Sequence, residues 1–146
     1  MIHTFLLEEG TWHGKGFLID GNNEQFCFEG ELSTIHADGE WIHETNMKLS
    51  LHDETITITN RCIIVPFKKG NDHTIWRSES PGMGRLIGEF VIVGDSLLSS
   101  CVSVDSAFQG AEYFLKIDDK TYMNRGMISK RRQKVSSWRM EWVRVP

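Results

Sequence analysis

Apolar and polar residues alternate at every second position through most of this chain, and turn-forming clusters break the alternation at short intervals. Phe26, Phe28, Gly30 and Leu32 alternate with Gln25, Cys27, Glu29 and Glu31, and Trp41, His43, Thr45, Met47, Leu49 and Leu51 lie opposite Glu40, Glu44, Asn46 and Lys48. A period of two buries one face of a pleated strand and wets the other, so the chain reads as all-β. The breaks at Asp20–Asn23, Asp38-Gly39, His52-Asp53, Lys68–Asp72, Glu79–Gly84, Gly94-Asp95, Asp105–Gly110, Asp118-Asp119 and Lys130–Lys134 carry residues that tolerate turns. They delimit about ten strands: Thr11–Ile19, Glu24–Ser33, Glu40–Leu51, Thr55–Thr59 continued by Arg61–Val65, His73–Ser78, Arg85–Val93, Leu97–Val104, Glu112–Ile117, Tyr122–Ile128 and Val135–Val145. Thr4 could cap a single helical turn through Leu7 and Glu8, the one helix candidate.

Strands that follow one another through short turns make an antiparallel meander, and a meander of this length closes into an up-and-down barrel. An immunoglobulin-type sandwich would need Greek-key crossovers that these short connections do not offer. The 146 residues fit a single domain, 1–146. No apolar run is long enough for a membrane helix, and the first residues have neither a basic leader nor a long apolar middle, so a cytoplasmic protein with no membrane partner is expected. Three widely spaced cysteines, Cys27, Cys62 and Cys101, read as reduced thiols rather than disulfides or a metal set. A net charge of −4 argues against nucleic acid as a partner, Lys130–Lys134 being the single basic cluster.

Gly10-Thr11-Trp12-His13-Gly14-Lys15-Gly16 at one end and Trp138-Arg139-Met140-Glu141-Trp142-Val143-Arg144 at the other are the expected seam. In an up-and-down barrel the tenth strand ends where the first begins, which brings Arg144 over Trp12 as a plug at one mouth. The Gly-x-Trp start and the arginine near the end of the last strand resemble the calycin superfamily, the lipocalins and their relatives. The longer Gly-x-Trp-x-Gly-x-Gly run looks like the start of nitrobindin-like haem barrels. That resemblance implies a haem held by a late histidine, whereas the last histidine here is His73. No cofactor is therefore expected, haem remaining an alternative with His43 as its ligand.

The same geometry proposes a pocket. Trp41, His43 and Met47 on the third strand and Trp138, Met140 and Trp142 on the tenth would line it, a set of aromatic and thioether groups suited to apolar or amphipathic ligands. Arg125 sits between Met123 and Met127. If that face is inward it favours an anionic ligand; if Tyr122, Asn124 and Ile128 face inward it is a surface residue. Loops after odd-numbered strands should gather at the open mouth, with Pro81-Gly82-Met83-Gly84 as a candidate lid. Catalytic signatures such as Gly-x-Ser-x-Gly, a phosphate-cradling loop, His-Glu-x-x-His and Cys-x-x-Cys are absent from the sequence. The expectation is a non-enzymatic binder of a small molecule. Its rivals are a nitrobindin-like haem protein, an isomerase or lyase using His43 and Arg125, and a protein-interaction module. Monomer and homodimer are both open.

Overall fold

The computed structural model describes residues 2–146, and these form ten antiparallel strands closed into one barrel. They are β1 (Gly10–Asp20), β2 (Gln25–Ala37), β3 (Glu40–Ser50), β4 (Thr55–Ile64), β5 (His73–Ser80), β6 (Gly84–Val93), β7 (Ser96–Ser103), β8 (Phe108–Asp118), β9 (Thr121–Lys130) and β10 (Gln133–Arg144). Each pairs with its sequence neighbours, and β1 pairs with β10 to complete the ring. No helix among the described residues is long and apolar enough to cross a membrane.

Closure demands close approach of backbones, and glycine supplies it on the inner face of β1. A Cβ at Gly16 would lie 1.9 Å from the carbonyl oxygen of Arg139, so no other residue fits the β1–β10 seam there. Trp12 lies directly opposite Arg144 in this pairing. The guanidinium carbon stands 5.8 Å from the Trp12 ring centroid, while its nitrogens donate to Glu8 Oε2 at 2.6 Å and to the Glu9 carbonyl at 2.7 Å. Arg144 thus ties the last strand to the segment that precedes the first.

That segment is where the sequence reading needs correction. Thr4 caps no helix: residues 5–7 form a turn in which Leu7 N–H donates to the Phe5 carbonyl, Leu6 adopts a φ of +71°, and the Thr4 hydroxyl donates to the Asp119 carbonyl. The turn drives Phe5 and Leu6 into the barrel mouth, where both are buried. Phe5 stacks on Phe114 at 4.6 Å and meets Trp12 edge-on at 5.1 Å, so the plug is a cluster rather than one indole. Tyr122 anchors it from above. Its hydroxyl accepts the Thr4 N–H and bonds to His3 Nδ1 at 2.9 Å, while the other ring nitrogen of His3 reaches the Gly94 carbonyl. Burial holds the His3 imidazole below its usual pKa, which suits this neutral donor-and-acceptor role.

The wall is not uniform. Ten residue pairs join β3 to β4, but only Cys62, Ile63 and Ile64 pair with β5. Above them, toward the mouth opposite the plug, Thr55 to Thr59 are all exposed, including Ile56 and Ile58, which point inward with Leu49 and Met47. The barrel is therefore packed at the Trp12 end and open at the other, on the side where the β5–β6 hairpin stands.

Candidate functional site

Below the open mouth lies a cavity of about 170 Å³, lined on its walls by Asn60 of β4, Trp76 of β5, Leu86 of β6, Ser99 and Cys101 of β7, Glu112 of β8, Ile128 of β9 and Trp138 of β10. Met83, from the hairpin between β5 and β6, reaches its rim. The two tryptophans lie flat because each faces a glycine across the ladder, Trp76 opposite Gly88 and Trp138 opposite Gly126. A Cβ at Gly88 would fall 2.3 Å from the Trp76 ring, and one at Gly126 would fall 2.2 Å from the Trp138 ring. Each glycine is a shelf that holds an indole against the wall and keeps the space in front of it free.

Glu112 stands at the centre of this lining and is its only acidic or basic side chain. Register places it on the inner face: it pairs with Ser99 on one side and Gly126 on the other, both inward. Asn124 Nδ2 and Trp138 Nε1 each donate to its Oε2 at 3.2 Å. Among the described residues no cation pairs with it, and both donors fall on one oxygen, which leaves Oε1 open to the lumen and in reach of solvent. Loss of solvent pushes its carboxyl above the usual pKa, and the two hydrogen bonds from Asn124 and Trp138 only partly offset this. Asn60 Oδ1 is a second acceptor of the lining left without a hydrogen bond. Trp76 Nε1 is satisfied by Ser99 Oγ at 3.2 Å. The wall therefore presents two flat aromatic plates and two hungry acceptors.

Of the residues expected at a pocket, Trp138 alone lines this one. Met47, Met140 and Trp142 belong to the packed core, with Trp142 Nε1 bonded to Asn124 Oδ1 at 3.4 Å. Trp41 sits at the plugged end, stacked on His36 at 3.9 Å and beside Phe67 at 6.0 Å. His43 bonds through Nδ1 to Thr34 Oγ1 at 3.2 Å and is met edge-on by the Phe5 ring at 6.0 Å. Burial pushes its imidazole down to about 4, so it is neutral in ordinary buffers. Arg125 is on the outer wall: it pairs with Tyr113 and Arg139, while its neighbours Tyr122 and Asn124 are the buried ones. The alternation of β9 thus resolves to Tyr122, Asn124, Gly126 and Ile128 inward, because Gly126 must receive Trp138. An acid–base pair of His43 and Arg125 in one cavity does not exist here.

The structure does not bring His43, the alternative haem ligand, to this cavity. His43 is absent from the cavity lining and engaged at the plugged end, and about 170 Å³ is the scale of a cavity that holds benzene. Among the described residues no three His, Cys, Asp or Glu side chains gather as a metal set. Cys62 and Cys101 carry thiols pushed up by burial, which leaves them poor nucleophiles.

Glu112 and Asn60 are what sequence reading missed. Glu112 falls inside β8, which begins at Phe108 rather than at Glu112 as the turn signals suggest, because Gly110 and Glu112 interrupt the apolar alternation of Phe108 and Phe114. Glu89, on the neighbouring wall, faces outward, paired with Ser100 and Ile75.

No protein-family model matches the chain, and no curated protein matches it in sequence. Solved structures do match in shape. An S-type phycobiliprotein lyase from Guillardia theta superposes with a TM-score of 0.67 at 11% identity, covering 97% of this chain and 90% of that one. An AttH-type protein from Nitrosomonas europaea (TM-score 0.32, 10% identity, 92% of this chain and 49% of that one) and an N-terminal dehydratase from the difficidin assembly line (0.28, 10%, 97% and 80%) match more distantly. The first likeness shows a shared barrel fold.

Proposed function

We propose that the chain binds a compact aromatic molecule carrying an N–H donor or a cation, held between Trp76 and Trp138 with its donor on Glu112. The observation that carries this is the lone carboxyl. A carboxylate drawn partly out of water with no cation beside it favours a ligand that supplies the charge or the donors; Glu112 Oε1, open to the lumen, can take such a donor, and Asn60 Oδ1 of the same lining is buried without one. The ligand is the missing partner. Its size follows from the cavity of about 170 Å³, which suits one or two rings rather than a long acyl chain. Its sign follows from the wall: with Arg125 outside, the cavity offers an anion no counter-charge. The fold shared with the lyase supports a barrel, while the ligand class rests on Glu112.

Benzamidine and benzoate, nearly identical in shape and opposite in charge, separate this reading from an anion binder. Calorimetric titration should show saturable one-to-one binding of benzamidine, strengthening as pH rises through the Glu112 titration, and at least about tenfold weaker binding of benzoate, the scale of discrimination expected when an unpaired buried polar group is at stake. Equal binding of the two, or tighter binding of benzoate, would overturn it.

A further inference from the structure

The outer face of β6 to β9 is as unusual as the cavity behind it. Val91, Leu98, Ala111, Tyr113 and Met127 form a groove of about 780 Å³ on the outside of the wall, and Leu98, Tyr113 and Met127 are 41%, 37% and 48% exposed. An outward face of a soluble barrel is normally broken by charge at alternate positions; here the outward-pointing charges stand at the edges, the one other charged residue of the lining, Glu112, turning its side chain inward. Glu89 borders the groove on β6 and Arg125 on β9, and among the described residues neither makes an ion pair within the chain.

We infer that this face binds a second copy of the same chain. Charge complementarity under a two-fold axis favours that partner. Leu98 pairs with Tyr113 and Ser100 with Ala111 at the β7–β8 seam, midway between the two charged edges. A two-fold axis lying in the interface and running along that seam exchanges β7 with β8 and β6 with β9. It lays Leu98 of each copy on Tyr113 of the other, and Glu89 on Met127, one register step from Arg125. A groove with acid at one edge and base at the other is thereby complementary to itself, which is what an isologous dimer requires. Ordering around the seam also buries the exposed leucine, tyrosine and methionine that otherwise face water.

Sedimentation equilibrium on the full chain tests this. The wild type should be a dimer at tens of micromolar, and Arg125→Glu or Glu89→Arg alone should weaken association by at least about tenfold, the scale of a close interfacial charge pair. The double variant Arg125→Glu/Glu89→Arg should restore it, an outcome that misfolding cannot mimic. A wild type that stays monomeric at 100-fold dilution and at high concentration alike, single variants that associate as the wild type does, or a double variant that fails to recover would each overturn the proposal. Because both residues lie outside the cavity, benzamidine binding reports separately on the function proposed above.

Discussion

Replacing Trp12 with alanine should cost about 3–5 kcal/mol of folding stability, read as a lower denaturation midpoint at unchanged slope. The indole is wholly buried, and three groups meet it: the Phe5 ring edge at 5.1 Å, Tyr122 at 5.6 Å and the Arg144 guanidinium at 5.8 Å. None of them can collapse into the space left behind, since Phe5 is held by its turn, Tyr122 by its hydroxyl bonds to His3 and Thr4, and Arg144 by Glu8 and the Glu9 carbonyl. A rigid cavity lining makes truncation costly. Loss should also loosen the N-terminal turn, so that amides of residues 5–7 exchange faster in the variant. A cost below about 1 kcal/mol would mean that the mouth is sealed without the indole.

Glu112→Gln should separate stability from binding. The amide keeps an oxygen for Asn124 and Trp138 and turns an NH2 toward the lumen, so shape is preserved while an acceptor becomes a donor. Benzamidine affinity should fall by at least about tenfold, because donor now faces donor. Stability should move the other way. A carboxyl whose folded pKa lies above its unfolded value favours the fold at low pH and loses that contribution as pH rises through the folded pKa. The variant lacks this titration. Its melting temperature should exceed that of the wild type above neutral pH, with the gap closing toward pH 4. Equal melting temperatures at alkaline pH would show that Glu112 ionises without penalty.

The wall was legible in the sequence because each strand shows its period locally. Trp12 opposite Arg144 follows from strand count alone once the barrel closes. The interior was less legible, for reasons that sit in particular residues. On β9 the outward Met123 and Met127 are as apolar as the inward Tyr122 and Ile128, so alternation there cannot tell inside from outside. On β8 the inward Gly110 and Glu112 look like loop. One signal was present and unused: Trp76 and Gly88 are equidistant from Gly82 at the tip of the β5–β6 hairpin, so the hairpin register itself places an indole on a glycine. Trp138 and Gly126 meet in the same way, displaced by the irregularity between Lys134 and Ser136. The cluster of Glu112, Asn124 and Trp138, by contrast, depends on three strands at once. The Phe5 plug escaped because a turn with a positive φ at leucine has no signature in composition.

Glu112 is a partly desolvated carboxyl with no cation beside it and one oxygen open to the lumen. Carbon-detected NMR of a sample labelled in the glutamate carboxyls, assigned with Glu112→Gln and titrated with and without benzamidine, reads that state directly. Glu112 should titrate above the range of free glutamate in the unliganded protein and return toward it when benzamidine is bound. Titration at or below the ordinary value in the unliganded protein, unmoved by benzamidine, would contradict it.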